Sequence, residues 1–73
     1  MEKTEFLFKL GENIKFHRKR KDISQAELAR LLFKDRQSVE RIENGKVNTS
    51  IFQLFEISKA LEVDLSELII NLK

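Results

Sequence analysis

The residues best suited to chemistry lie close together in the middle of the chain, where polar side chains surround two apolar ones. Val39 and Ile42 are three residues apart, which is the spacing of the inward face of a helix. The side chains left pointing outward are Arg36, Gln37, Ser38, Glu40 and Arg41. Arginine can form two hydrogen bonds with guanine, and glutamine can form two with adenine, in the major groove of DNA. The spacing therefore predicts a helix over about residues 36–44 that reads base edges. Its predicted base contacts are Arg36, Gln37, Ser38 and Arg41.

Other interpretations of these side chains stay open. Arginine and glutamine are good helix formers, so they can also serve only to solvate a helix surface. Glu40 can accept a hydrogen bond from cytosine N4, but an acid close to phosphates more often pairs with a neighbouring arginine.

A second short helix precedes this one, and a capping residue opens each of them. Ser24 and Glu27 have the spacing of a capping box, in which the hydroxyl accepts from the Glu27 amide and the carboxylate reaches back. Asp35 can cap the following helix. Two capped helices joined by a tight turn, between about residues 24 and 45, predict a helix-turn-helix, which lowers its second helix into the major groove.

The rest of the chain predicts three more helices. A first helix extends from Thr4, its predicted N-cap, to about Arg20. Thr49 or Ser50 can cap a fourth helix, and Asp64 can open a fifth with a second capping box. The predicted inward faces of these two helices are Ile51, Leu54, Phe55, Ile57, Ser58 and Leu61, then Leu65, Leu68, Ile69 and Leu72. We therefore expect an all-α protein, a compact five-helix bundle that forms a single domain over residues 1–73.

The composition argues against several classes of function. The chain has no cysteine and one histidine, so we expect neither a metal site nor a disulfide framework. A glycine-rich phosphate loop and a paired-carboxylate motif are both missing, so we expect no enzyme, no cofactor and no small-molecule ligand. No apolar stretch is long enough for a membrane span and no signal peptide is evident, so we expect a cytoplasmic protein without a membrane partner.

Charge is distributed unevenly along the chain. The formal net charge is +2, but residues 15–46 contain ten basic and five acidic residues, and both flanking segments are acidic. A basic middle segment suits a surface that faces a polyanion such as double-stranded DNA. A solvated, charged helix face would give the same distribution.

Three stretches of the sequence together resemble the Cro/C1-type (XRE-like) helix-turn-helix family of phage repressors and bacterial regulators. They are SQAELA at 24–29, QSVERIENGK at 37–46 and ISKALEVDLSEL at 57–68. The resemblance covers about residues 10–70 and implies a lambda-repressor-like fold. It also implies a small transcriptional regulator that binds double-stranded DNA sequence-specifically, as a repressor dimer on a pseudo-palindromic operator.

The same resemblance implies roles for individual residues. Base contacts fall on Arg36, Gln37 and Arg41, and Gln25 both contacts phosphate and braces the reading helix. Arg18 and Glu43 stand where the family often forms an internal salt bridge. The residues expected to contact the DNA backbone are Ser24, Gln25, Asn44 and Lys46.

This sequence departs from the family pattern at three positions. Phe33 stands where the family commonly has glycine, and Thr49 stands where it commonly has proline. His17 replaces an apolar residue, and we interpret it as a partly buried, hydrogen-bonded core histidine instead of a ligand. A bulky residue tolerates positive φ poorly, so Phe33 leaves the turn geometry open.

Several large apolar residues project away from the apolar faces of their helices. We predict that Phe52 and Ile70 belong to a homodimer surface on the fourth and fifth helices, since a core this small gains from a second subunit. Isolated surface apolar residues are also common and carry no such meaning. Phe8 and Phe16 can instead pack against residues 1–5.

A protein-binding module of the antitoxin or adaptor kind is the alternative function. The dependence of binding on salt concentration distinguishes DNA binding from protein binding. Binding through several phosphates weakens steeply as salt rises, whereas a largely apolar protein interface does not.

Overall fold

The computed structural model describes residues 1–70, and the regular structure in that part of the chain is entirely helical. The five helices are α1 (Lys3–Arg20), α2 (Gln25–Leu31), α3 (Arg36–Glu43), α4 (Ile51–Leu61) and α5 (Leu65–Ile69). The predicted all-α, five-helix architecture is confirmed. Leu72, predicted on the inner face of the fifth helix, lies outside the described residues.

Side chains cap the starts of the helices by local hydrogen bonds. The Ser24 hydroxyl accepts from the Glu27 N–H at 3.0 Å, and the Ser50 hydroxyl accepts from the Gln53 N–H at 3.1 Å. Asp35 caps α3 in the same way. Each such cap satisfies a backbone donor that the helix itself leaves unpaired.

Two details of capping differ from the sequence prediction. α1 begins earlier, because the Glu2 carboxylate accepts from the Glu5 N–H at 3.1 Å and so replaces Thr4 as the cap. Only half of the capping box of α2 forms, since the Glu27 carboxylate lies 3.7 Å from the Arg30 guanidinium.

Four helices end with a residue in the left-handed region. These residues are Asp22 (φ 61°), Phe33 (φ 58°), Gly45 (φ 71°) and Glu62 (φ 59°). After each of them, the next N–H donates back to a carbonyl five residues earlier, as Lys34 does to Ala29 at 2.8 Å. This is the Schellman arrangement, which satisfies terminal carbonyls and usually employs glycine. Only Gly45 has the residue type for which this conformation is free of strain.

We expect Phe33→Asn to raise the free energy of unfolding of the monomer by up to about 1 kcal/mol, because asparagine tolerates left-handed φ and a bulky residue does not. The ring is 96% exposed, so its loss removes almost no burial. Urea denaturation at a protein concentration that keeps the chain monomeric measures the change. Asp22→Asn is the control, since aspartate already tolerates this conformation. Equal or lower stability of Phe33→Asn would contradict the strain at this turn.

The core lies where the inner faces of all five helices meet. Its buried residues are Leu10, Ile14, Leu28, Ala29, Val39, Ile42, Leu54, Ile57, Leu61 and Leu68. The predicted inner face of α4 is partly wrong, because Ile51 is 66% exposed and Phe55 is 45% exposed. The helix faces the core through the stripe that contains Leu54 and Ile57, which turns Phe55 toward solvent.

α1 crosses the C-terminal end of α3 with the two backbones in direct contact. A Cβ atom added to Gly11 would lie 2.3 Å from the Glu43 carbonyl oxygen and 2.7 Å from that of Ile42. Gly45 is also confined, since its added Cβ would lie 2.8 Å from the Cα of Phe8. This crossing fixes the end of α3 against the longest helix.

Candidate nucleic-acid interface

The outer face of α3 carries the predicted base-reading side chains. Arg36, Gln37 and Arg41 are exposed, whereas Val39 and Ile42 are buried in the core. Ser38 and Glu40 are half-buried at the borders of this face. The structure therefore brings two guanidinium groups and one carboxamide to one accessible helical edge.

Ser38 is engaged in the cap of α3. Its N–H and its hydroxyl both donate to the Asp35 carboxylate, each at 2.8 Å. These bonds hold the pKa of Asp35 below its ordinary value, the side-chain hydrogen bond being the larger cause. The cap is therefore in place at neutral pH and is lost as the pH falls through that lowered pKa. Because the Ser38 proton is used here, its free hydrogen-bonding capacity is that of an acceptor.

Gln25 links the two ends of α3. Its Nε2 donates to the Glu43 carboxylate at 3.0 Å, and its Oε1 accepts from Arg36 Nη1 at 3.2 Å. Arg36 is thus held by the neutral amide of Gln25, and the hydrogen bond to Glu43 sets the orientation of that amide. The arginine keeps its other N–H groups for a base or a phosphate.

A buried ion pair lies beneath this link. Arg18 donates to the Glu43 carboxylate with two nitrogens, at 2.6 and 3.1 Å, and its third contact is the Ile23 carbonyl at 2.9 Å. The two side chains are only 8% and 1% exposed. The salt bridge implied by the family resemblance is present, and it places Arg18 in the interior although the residue belongs to a basic run.

The predicted backbone-contacting residues lie around this edge. Ser24 is exposed at the start of α2, and Gln25 follows it beside α3. Asn44 and Lys46 are exposed just past the C-terminal end of α3. The hydrogen bond between Gln25 and Glu43 brings the start of α2 next to the end of α3.

Sequence reasoning missed two polar residues next to this face. A shallow hollow of about 150 Å³ is lined in part by Lys34, Ser38, Arg41 and Gln53. Lys34 comes from the turn before α3, and Gln53 comes from α4. No spacing within one helix could have found them, because only the packing of three elements brings them together.

His17 is half-buried, as predicted, and packs edge-on against Phe16 with ring centroids 5.2 Å apart. The predicted hydrogen bond of its ring is absent among the residues that the structure describes. The Arg20 guanidinium lies 5.7 Å from the centroid of the Phe16 ring. Phe16 and Phe8 are both more than half exposed, so neither is covered by the N-terminal residues.

Phe52 and Ile70, the predicted dimer residues, are 65% and 58% exposed. Phe52 lies 6.2 Å from Phe55, ring centroid to ring centroid, and faces the end of α2. Ile70 is instead tied to α1, because its carbonyl accepts from the Asn13 side chain at 3.0 Å. The contacts of the two residues thus involve different helices.

Within residues 1–70, each helix is too short or too polar to cross a membrane. The same part of the chain contains no group of three or more histidine, cysteine, aspartate or glutamate residues placed to hold a metal ion.

A capped α2, a tight turn and an α3 with an exposed polar edge define a helix-turn-helix protein. The family model described as helix-turn-helix matches residues 14–68. The chain belongs to this family, in its Cro/C1-type branch, and the family is one of DNA-binding transcription regulators. The resemblance found in the sequence is thereby confirmed.

This chain is similar to three proteins, one by sequence and two also by structure. Control protein C.MunI from Mycoplasma sp is 43% identical over 61 residues, which cover 82% of each chain. The restriction-modification controller protein C.AhdI from Aeromonas hydrophila superposes with a TM-score of 0.81 at 34% identity, covering 85% of this chain and 90% of that one. The hypothetical transcription factor NHTF from Neisseria gives a TM-score of 0.85 at 27% identity, covering 96% and 80%.

Proposed function

We propose that this chain is a sequence-specific regulator of transcription that controls a restriction-modification system. The single observation that carries the DNA-binding part is the exposed edge of α3, with Arg36 braced by Gln25. The descriptions of two relatives as control or controller proteins support the restriction-modification part. Repression requires only that the bound protein cover promoter DNA, and it is the mode of action that we propose.

Each side chain of the interface has a proposed role. Arg36, Gln37 and Arg41 contact base edges, and Ser38 accepts a hydrogen bond at the border of the groove. The residues proposed to contact the DNA backbone are Ser24, Gln25, Asn44 and Lys46. Lys34 adds a further cation beside them, and phosphate contacts of this kind supply affinity without sequence preference.

We propose that the protein acts as a homodimer on a pseudo-palindromic operator. Dimers of this class place their reading helices one DNA turn apart, at roughly 34–36 Å. One copy measures 31 × 22 × 20 Å, so two copies in contact have the size to span that distance. Exposed apolar side chains outside the reading face, Phe52 among them, support the presence of a second copy.

Selection of bound sequences from a random DNA pool tests the function directly, because it reveals specificity, half-site symmetry and spacing together. On the selected site, we expect Arg36→Ala, Gln37→Ala or Arg41→Ala to reduce discrimination between bases by about 1–3 kcal/mol. Lys46→Ala should weaken binding to all sequences alike. Fluorescence anisotropy with matched and mismatched duplexes measures both effects.

Lys21→Ala is the control, since this lysine pairs with Glu62 at 2.6 Å, past the end of α4, and not with a residue of the interface. Unchanged discrimination in all three variants of α3 would contradict the assigned contacts. Binding that ignores salt would contradict DNA binding itself and favour a protein-binding module.

A further inference from the structure

α4 carries a second stripe, formed by two phenylalanines and two charged residues, that its own core does not use. The buried stripe includes Leu54, Ile57 and Leu61. The second stripe is formed by Phe52, Phe55, Glu56 and Lys59, which have the spacing i, i+3, i+4 and i+7. That is the spacing of a helix face that packs against another element.

This second stripe continues onto the end of α2 and the turn that follows it. Leu31, Phe33, Phe52 and Phe55 line an open hollow of about 450 Å³, which we name the phenylalanine groove. Its four side chains are 46%, 96%, 65% and 45% exposed, respectively. A phenylalanine covers 150–250 Å² when buried, so the three rings leave roughly 400 Å² of apolar surface open.

The apolar surface of the groove has the size of a functional patch. The largest apolar patch on a typical monomer is about 300–600 Å² and is often functional. Phe33 is also strained, because a left-handed φ of 58° is unfavourable for a bulky residue. A residue with a strained backbone and an almost fully exposed ring does not stabilise the fold of the monomer.

We propose that the phenylalanine groove is the docking site for a second copy of this chain. The two-fold contact then runs along α4 and reaches the turn between α2 and α3. This inference rests on the homodimer of the proposed function, and it specifies the face through which that dimer forms. Of the two dimer residues predicted from the sequence, it retains Phe52 and leaves Ile70 outside the contact.

The charges at the groove favour a second copy as the occupant. Glu56 and Lys59 lie one turn apart on the rim, and the Lys59 ammonium lies 5.7 Å from the centroid of the Phe55 ring. In a two-fold contact each surface meets itself, so antiparallel α4 helices set Glu56 of one copy against Lys59 of the other, twice. The stripe is self-complementary in charge.

The open area also suits a dimer. A standard interface buries about 800 Å² on each partner, around an apolar centre and a polar rim. The three rings would supply roughly half of that area as the apolar centre. None of the groove residues belongs to α3, the helix that carries Arg36, Gln37 and Arg41.

A charge exchange tests the contact between copies. Glu56→Lys and Lys59→Glu each remove both pairs from a homodimer, and we expect either variant alone to weaken dimerisation about tenfold or more. A mixture of the two variants restores both pairs across the interface. Native mass spectrometry of the mixture should therefore show the heterodimer in excess over either homodimer. A random mixture of the three dimers would overturn the proposal, because effects within one chain cannot select the partner.

Substitutions of the phenylalanines test their contribution to dimerisation separately from that of the charged pair. We expect Phe33→Asn and Phe52→Ala to raise the dimer dissociation constant at least about tenfold in sedimentation equilibrium, while Phe16→Asn leaves it unchanged. Phe16 is a matched control because it is equally apolar, 56% exposed and outside the groove. Circular dichroism confirms that each variant remains helical, and Phe33→Asn relieves strain instead of adding it. A wild-type chain that stays monomeric would overturn the proposal.

Binding to a single operator half-site separates this inference from the proposed function. An unchanged dissociation constant in every groove variant, with intact half-site recognition, would overturn the groove and keep the regulator. Loss of base discrimination in the wild type would instead overturn the proposed function, whatever the dimer constants.

Discussion

Gly11→Ala is expected to lower the free energy of unfolding by about 3 kcal/mol, the upper end of the usual cost of overpacking. The added Cβ would meet the Glu43 carbonyl oxygen at 2.3 Å, and a backbone atom cannot rotate away as a side chain can. A domain this small rarely has more than about 3–5 kcal/mol from its core, so the variant should be largely unfolded at moderate temperature. Thermal and urea denaturation followed by circular dichroism measure the loss.

Whether Gly11→Ala raises or lowers the free energy of unfolding shows whether the backbones are in close contact. In an ordinary helical position, alanine is more stable than glycine by up to about 1 kcal/mol. A gain in stability would therefore contradict the close crossing of α1 over the end of α3. Glu12→Ala serves as the control, because this exposed neighbour in the same helix should change stability by no more than about 0.5 kcal/mol.

Arg18→Met is expected to lower the free energy of unfolding by about 3–5 kcal/mol, because it leaves the Glu43 carboxylate buried without its charged partner. The carboxylate is 1% exposed and would keep only the Gln25 amide as a donor among the described contacts. The double variant Arg18→Met with Glu43→Leu removes both charges and should recover most of the loss. Urea denaturation of the two single variants and the double variant gives the coupling free energy.

Lys21→Met is the matched control for this ion pair. Lys21 and Glu62 are also 2.6 Å apart, but the Glu62 side chain is 76% exposed, so water screens the charges. The loss should be far smaller than for Arg18→Met. Equal losses in the two variants, or a double variant no more stable than Arg18→Met, would contradict the account of Arg18 as a buried structural residue.

Local chemistry explains why much of the fold could be predicted from the sequence. The caps at Ser24, Asp35 and Ser50 depend on residues three positions apart, and all three form. The helix ends were harder to predict. A glycine identifies Gly45 as a left-handed residue, but nothing in the residue type of Phe33 announces that conformation.

The error on α4 has a different cause. Periodicity predicts that a helix has an apolar face, but α4 has apolar residues on two sides. Its mixture of Leu54, Phe55 and Ile57 does not say which side meets the core. That choice depends on the direction from which α2 and α5 approach, which is a property of the assembled fold.

The candidate site could also be predicted from the sequence only in part. The outward edge of α3 follows from helical spacing alone, because Val39 and Ile42 fix which side is buried. Lys34 and Gln53 reach this edge only through packing, so the sequence left them unnoticed. The roles assigned to the individual side chains stay predictions until DNA is tested.

The polarity of the Gln25 carboxamide has a consequence for how the protein ages. One end of this group must donate to a carboxylate while the other accepts from a guanidinium, so the group cannot be inverted. Deamidation exchanges the nitrogen for an oxygen and would set two anions 3.0 Å apart, next to Arg36, the first residue of α3. A single slow hydrolysis at this position would therefore push the residue 25 side chain away from Glu43 and toward the Arg36 guanidinium, and so break the link between the two ends of α3 without any mutation.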